Sequence, residues 1–349
     1  MKKLYTTSKY KKWHKRRLLK FNRLLKKRKN SKKEQSNNSS FSQVIEDHIK
    51  SPVAAIVDFR LIENTQKCLT VFKNIRSELF ISKVKGFKFI TLNMTDCTHI
   101  DYGTISILTA IMDDLKTKKI LFRTMLPKNP VCKQFVNESG YLNNQVNGDG
   151  KPFKKTEKSE LIFFEKGNGV LSERDNIKIS NLVKDVVNHL TGESKYCLPV
   201  KTIILEICGN SIEWSGTTNQ QWLLGVKYED KKVIFTVTDV GKGILHTLNR
   251  TIPRQVLEVF TSDSEILKGA FNKKYASASQ EVNRNKGLPA VKTRWELGTI
   301  KNLKVLTNNV ILHFDNETLT QTFSQGSSGY GGTFYQWEMN SDCINKTTI

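Results

Sequence analysis

Residues 203–214 read IILEICGNSIEW and contain two polar side chains, Glu206 and Asn210, within an otherwise mostly apolar run. Because they are four residues apart, both side chains lie on one face of an α-helix, a single turn from each other. That face borders an apolar stripe of Val200, Ile203, Ile204 and Ile207. Polar pairs with this spacing are also common as simple hydrogen-bonded contacts on helices. Motifs elsewhere in the chain are needed to judge whether this pair has a function.

Glycine-rich motifs follow this helix at strand ends and at a helix start. The segments QWLLGVKY (221–228) and KKVIFTVTD (231–239) predict a β-hairpin. The second strand runs directly into DVGKGI (239–244), where two glycines let the backbone turn tightly and approach a ligand. Further on, NRNKGLPAVK (283–292) predicts a turn that opens a helix. After two more strand-like runs comes GYGGTFYQWEM (329–339).

In this order the four motifs resemble the nucleotide-binding domain of the GHKL ATPases, which include gyrase, the MutL repair protein, histidine kinases and anti-sigma-factor serine kinases. The resemblance covers residues 165–340 and implies a two-layer α/β sandwich with a mixed, mostly antiparallel sheet. The residues that match the four motifs are Glu206 and Asn210, then Asp239, Gly241 and Gly243, then Gly287 and Leu288, and last Gly331, Gly332 and Thr333. Beside them, Ile244, Asn285 and Lys286 are expected to line the nucleotide site.

The resemblance implies ATP and Mg²⁺ as ligands. The amide oxygen of Asn210 is the kind of hard ligand that Mg²⁺ takes. Asp239 is expected to accept a hydrogen bond from the adenine amino group, which excludes guanine because its carbonyl offers no donor. Backbone N–H groups of residues 285–287 and the charge of Lys286 would contact the phosphates. Glu206 would orient or deprotonate the attacking water or an acceptor hydroxyl.

Two residues depart from the family pattern. Asn285 and Pro289 stand where many members have glycine. Asparagine tolerates the left-handed conformation better than most residues, and proline in the first turn of a helix costs little. We therefore expect nucleotide binding to be preserved, whereas efficient turnover does not follow from the sequence. Residues 245–286 are expected to form a long loop that acts as a lid over the nucleotide.

The preceding part, residues 50–145, alternates predicted strands and helices and is expected to be a separate α/β domain. Strands are predicted at 53–59, 87–94 and 119–126, and helices at 104–116 and 129–140, the second ended by Gly140.

The segment ITLNMTDCTHIDYGTISILTAIMDDL (90–115) resembles the central strand, loop and helix of STAS domains, which are similar to anti-sigma-factor antagonists. In kinase-regulated members a phosphoacceptor serine follows the aspartate of this loop. Here Tyr102 and Gly103 follow Asp101, so the usual acceptor is missing. Thr104 and Ser106 are expected to cap and line the helix and not to serve as phosphoacceptors in place of the missing serine.

The positive charge is concentrated at the start of the chain. Residues 1–33 hold 16 of the 56 lysines and arginines and no acidic residue, so they carry most of the net charge of +23. Apolar residues interrupt this segment at spacings that suit a basic amphipathic helix. It is expected to contact nucleic acid, an anionic surface or an acidic protein, or to be a solvated leader without a specific partner. Residues 34–49 and 146–164 are predicted linkers, and 341–349 a C-terminal tail.

Composition sets outer limits. A chain of 349 residues, 38% hydrophobic and 26% charged, suits about two globular domains. No apolar run approaches the roughly 20 residues that span a bilayer, and the N-terminus does not resemble a signal peptide, so a cytoplasmic location is expected. The six cysteines lack metal-site spacing and are expected to be reduced, partly buried thiols.

Three functions remain open on these patterns. The first, which we favour, is an ATP-dependent regulator with slow or no hydrolysis whose nucleotide controls engagement of a protein partner, with a homodimer as one possible assembly. The second is a serine/threonine kinase similar to anti-sigma factors. The third is an ATP-gated nucleic-acid-binding protein. DNA strand passage is not expected because only ten residues follow Met339, and His48 is not expected to be a phosphoacceptor because Pro52 interrupts the helix it would need.

Overall fold

The computed structural model describes residues 53–77, 88–145, 153, 162–168, 171–214, 221–251, 262–272, 287–324 and 328–346. They form a mixed α/β structure. The helices are α1 (Thr65–Arg76), α2 (Tyr102–Thr117), α3 (Pro130–Glu138), α4 (Glu173–Thr191), α5 (Leu198–Trp214), α6 (Ile244–Thr251), α7 (Asp263–Phe271), α8 (Gly287–Glu296) and α9 (Ser341–Asn345). The strands are β1 (Val53–Ala54), β2 (Asp58–Phe59), β3 (Lys88–Asn93), β4 (His99–Ile100), β5 (Ile120–Met125), β6 (Ile162–Asn168), β7 (Gln221–Glu229), β8 (Lys232–Asp239), β9 (Lys301–Asn308), β10 (Val310–His313), β11 (Gln321–Thr322) and β12 (Tyr330–Met339).

The largest sheet has seven strands in the order β11-β10-β9-β12-β8-β7-β6. Every pairing between these described strands is antiparallel, so the expectation of a mixed sheet is wrong for this part of the chain. For two of these pairs the physical reason is local, since tight turns join β7 to β8 and β9 to β10 and a hairpin makes its two strands antiparallel. Strand β12 inserts between β8 and β9, which places Thr333 opposite Asp239.

One face of this sheet packs against helices α4, α5, α7 and α8 in a large apolar core. Val233, Phe235 and Val237 alternate along β8 and point into that core. The Phe235 ring stacks on the Trp337 ring of β12 with centroids 5.1 Å apart. The predicted helices at 174–190 and 199–214 and the predicted 221–239 hairpin are confirmed.

The opposite face of the sheet packs against the first α/β part, residues 53–145. Leu306 and Phe334 share a core with that part of the chain. At the start of α2, a Cβ on Gly103 would lie 3.1 Å from the Phe334 ring, so the helix approaches the sheet closely. Within residues 165–340 the sheet and the helices on its first face make two layers, and α2 from residues 53–145 adds a layer over the opposite face. A sheet that is apolar on both faces has to be covered on both.

The first α/β part contains a parallel sheet of order β1-β3-β5 and a small parallel pair, β2 with β4. The prediction of one strand over 53–59 is wrong. The chain leaves the first sheet after Ala55, whose N–H donates to Asn93 O at 2.8 Å, and Val57 O then accepts from Thr98 N–H at 2.8 Å. The other predicted strands and helices of this part are confirmed, including the end of α3 near Gly140, which has a left-handed φ of 71°.

The predicted lid contains regular structure. Helix α7 and all but the first residue of helix α6 lie within residues 245–286, so the expectation of one continuous loop is wrong for those stretches. Helix α7 begins after Ser262, whose hydroxyl caps it, and it buries Ile266, Leu267 and Phe271 in the first core. Burial of that apolar face explains why the segment is helical. Residues 252–261 and 273–286 are outside the described part of the chain.

Other expectations concern segments that the structure does not describe, namely the basic tail 1–33, the linker 34–49 and most of the linker 146–164. Among the described residues, no helix combines the length and the apolar character that crossing a membrane requires. All six cysteines lie within the described segments as buried free thiols.

Candidate nucleotide-binding site

The candidate site lies where helix α5, the C-terminal end of β8, the start of α8 and the beginning of β12 meet. Residues from all four predicted motifs come together here. Helix α5 contributes Glu206 and Asn210, both half-buried and one turn apart. Two predicted residues of the third motif, Asn285 and Lys286, fall outside the described residues.

Asp239 is the most constrained side chain of the site. It is only 4% exposed and is the last residue of β8. Its carboxylate accepts the Gly241 N–H at 2.8 Å and also accepts hydrogen bonds from the Ser211 hydroxyl and the Thr333 N–H. Burial raises the pKa of Asp239 to about 6, although these hydrogen bonds and the charge of Arg76 oppose that shift. At neutral pH the site therefore presents a desolvated carboxylate, which is a strong hydrogen-bond acceptor.

The beginning of β12 crosses closely behind Asp239. The register of β12 shifts between Tyr330 and Thr333, and Gly332 has a φ of 146°. A Cβ on Gly332 would overlap the Asp239 carbonyl oxygen, so only glycine fits. The Tyr330 hydroxyl donates to that same carbonyl at 2.8 Å. These contacts fix the backbone that carries the Asp239 carboxylate.

The turn after Asp239 is held by residues at the end of β9. Gly243 has a φ of 83°, and a Cβ there would overlap the Asn308 side chain. Asn308 Oδ1 accepts the Leu245 N–H at 3.1 Å, and its Nδ2 donates to Lys242 O at 2.9 Å. Thr307 Oγ1 accepts the Ile244 N–H at 2.8 Å. The turn therefore depends on side chains more than 60 residues further along the chain.

Asn210 meets the start of helix α8. A Cβ on Gly287 would lie 2.6 Å from Asn210 Oδ1, so the amide occupies space that any other residue at 287 would fill. Asn210 Nδ2 is buried and has no hydrogen-bond partner among the described residues. A buried amide group left unpaired costs about 1–3 kcal/mol. An unpaired group of this kind is expected where a bound ligand supplies the hydrogen-bond partner. Rotation about χ2 exchanges the two ends of the amide, so either its oxygen or its nitrogen can face that ligand.

Ile244 and Leu288, the apolar members of the predicted set, are partly buried and pack against the core beside the site. Sequence reasoning missed Ser211, Thr307, Asn308 and Tyr330. Ser211 directly follows Asn210 in the quoted helix, so its position next to a predicted site residue could have indicated that it belongs to the site. Thr307 and Asn308 belong to no motif, and no local pattern distinguishes them.

The sequence matches no protein-family model, and no curated protein is significantly similar to it. The geometry of the site therefore has to carry the functional argument. It combines a buried acceptor at Asp239, an Asn210 amide nitrogen with no hydrogen-bond partner in the described part of the chain, and glycines where backbone and side chains approach closely. Such a site can recognise a ligand with a hydrogen-bond donor at one end and oxygen atoms or a cation at the other.

Proposed function

We propose that this protein binds ATP with Mg²⁺ at a GHKL-type site and that nucleotide binding, with slow or no hydrolysis, controls its engagement of a partner protein. The observation that carries the proposal is that Ser211, next to Asn210 on α5, hydrogen-bonds to Asp239 at the end of β8, while Asn210 itself lies against Gly287 at the start of α8. These residues are far apart in the sequence, so contacts between neighbours along the chain do not explain why they lie together.

The adenine end of the site would be formed by Asp239 and the groups that hold it. A carboxylate with a raised pKa and little exposure favours a ligand that donates a hydrogen bond, as the adenine amino group does. Thr333 lies opposite Asp239 on β12 and presents its backbone to the same carboxylate. A base with a carbonyl at this position would leave the carboxylate unpaired, so adenine is the base that the chemistry favours.

The phosphate end would be formed by Asn210, Gly287 and the N-terminal turn of α8. Backbone N–H groups at the start of a helix favour negative charge. When bound, Mg²⁺ would neutralise phosphate charge, and the oxygen of Asn210 suits it as a ligand. Glu206, one helical turn before Asn210, would orient or deprotonate a nucleophile. Asn285 and Lys286 would add backbone N–H groups and a positive charge.

Phosphorylation of the first α/β part by its own nucleotide site is not part of this proposal. Tyr102 is 5% exposed and hydrogen-bonds to the Thr236 side chain. Thr104 donates to Phe59 O at 2.6 Å, and the Ser106 hydroxyl lies 2.7 Å from that of Thr238. All three hydroxyls are buried and engaged in hydrogen bonds, so none of the three is accessible as a phosphoacceptor in this structure.

The deciding experiment follows γ-labelled ATP with Mg²⁺. Equilibrium dialysis measures binding, and the label is then traced to free phosphate or to protein. We expect the wild-type chain to bind ATP and to release phosphate slowly or not at all. Glu206→Gln should bind ATP with an affinity within about threefold of the wild type and should release no phosphate. The reason is that the Glu206 carboxylate would act on the attacking nucleophile and not on nucleotide binding.

The matched control is Glu193→Gln, the same substitution at an exposed position in the turn after α4. It should leave both binding and release unchanged. Absence of ATP binding by the wild-type chain would overturn the proposal. Stable transfer of label to protein would instead support the kinase alternative.

A further inference from the structure

Arg76 joins the first α/β part to the candidate nucleotide site. It is the last residue of α1, and its Nη2 donates to Val240 O at 2.9 Å. Its Nη1 donates to Gly331 O. Val240 directly follows Asp239, and Gly331 begins the crossing of β12 behind it. One guanidinium therefore connects two separate backbone segments that surround the Asp239 carboxylate.

The residue before Asp239 is also held from the first α/β part. The Thr238 hydroxyl lies 2.7 Å from the Ser106 hydroxyl of α2, and both side chains are fully buried. Thus Thr238 and Val240, the two neighbours of Asp239, each bond to a different helix of residues 53–145. The position of the Asp239 carboxylate is consequently set from behind the sheet as well as within it.

The chemistry of these contacts requires arginine. Two carbonyl oxygens on different segments match the planar fork of a guanidinium, whereas a lysine ammonium is a compact point charge. A Cβ on Gly331 would lie 3.1 Å from Nη1, so glycine at that position permits the approach. Loss of the guanidinium would leave the Val240 carbonyl, on a 3% exposed residue, without this donor.

We propose that Arg76 is a positioning residue for adenine recognition and that it couples the first α/β part to the nucleotide site. This inference rests on the proposed function. Coupling between two equilibria is reciprocal. If the Arg76 hydrogen bonds favour the position of Asp239 that binds the nucleotide, then bound nucleotide also favours the position of helix α1 in which Arg76 makes those hydrogen bonds. The first α/β part is then the element that responds to the bound nucleotide.

The test compares ATP with inosine triphosphate, which carries a carbonyl in place of the adenine amino group. Affinities of the full chain for both are measured with Mg²⁺ for the wild type, Arg76→Lys and Arg76→Ala. We expect ATP affinity to fall about tenfold or more in both variants and inosine triphosphate affinity to stay within about threefold. Lys73→Ala, which removes an exposed charge from the same turn of α1, should change neither.

Ser106→Ala supplies a second route if the Arg76 variants do not fold, and it should also reduce the preference for ATP. Failure of the wild-type chain to bind ATP would overturn both the proposed function and this inference. If ATP binding depends on Asp239 but the preference for ATP survives in the variants, only the inference is overturned. An equal loss of affinity for both nucleotides would also overturn it, because that result indicates a merely structural role.

Discussion

Replacing Asp239 by asparagine is expected to lower the affinity for ATP by about 100-fold or more, while affinity for inosine triphosphate falls far less. The variant loses a desolvated acceptor and places an amide NH₂ where the adenine amino group would donate. Asp239 also accepts from Gly241, Ser211 and Thr333, so an amide cannot reproduce all of its contacts. Isothermal titration calorimetry with both nucleotides measures the effect.

Asp230→Asn is the matched control, because Asp230 is an exposed residue in the turn between β7 and β8. It should bind ATP like the wild type. An Asp239→Asn variant that folds and binds ATP normally would remove Asp239 from the site and with it the basis for adenine recognition.

The same variant should change how stability depends on pH. Burial raises the pKa of Asp239 to about 6 from its ordinary value of 3.8, so the folded protein holds this proton more tightly than the unfolded chain does. The contribution to the free energy of unfolding is therefore full only below pH 3.8 and is lost, by about 3 kcal/mol in total, as the pH rises from there through 6. Urea unfolding of both proteins at pH 4 and pH 7.5 should show the wild type losing about 2 kcal/mol relative to Asp239→Asn, because the unfolded chain is already partly ionised at pH 4. An unchanged difference between the two proteins would mean that Asp239 titrates normally.

Replacing Gly287 by alanine is expected to lower the affinity for ATP by about 10- to 100-fold. The loss should come from displacement of the Asn210 amide and not from unfolding of the chain. The new methyl group would lie 2.6 Å from Asn210 Oδ1, so the amide has to move. Alanine is a better helix former than glycine, and the clash is with the end of a side chain, so thermal stability should change little.

A double-mutant cycle with Asn210→Ala separates these explanations. If Gly287 acts by leaving room for the amide, Gly287→Ala should have little further effect on ATP affinity in the Asn210→Ala background. Losses that simply add would show that Gly287 contributes independently of Asn210, for example through its own backbone N–H. Thermal unfolding of all four proteins verifies that the comparison concerns folded chains.

The elements of this site could be predicted because their signals are local. The apolar period of 203–214, the alternation in 231–239 and the glycines after Asp239 each depend on residues within a few positions of one another. Asp239, Asn210 and Gly287 were singled out through the resemblance to the GHKL motifs, and their role as site residues stays a prediction. The mixed sheet was an implication of the family resemblance, and the described strands do not show it. Assignment of 53–59 as one strand failed because strand pairing depends on partners elsewhere in the chain.

By itself, the sequence determined that the chain is α/β, that α5 carries Glu206 and Asn210 on one face, and that a glycine turn follows β8. Only the tertiary structure decided that α2 covers the second face of the sheet, that Asn308 holds the Gly243 turn, and that Arg76 reaches Val240 and Gly331. The physical reason is that these contacts join residues 63 to 255 positions apart. No local propensity encodes them, because they exist only once burial of both sheet faces has brought the segments together.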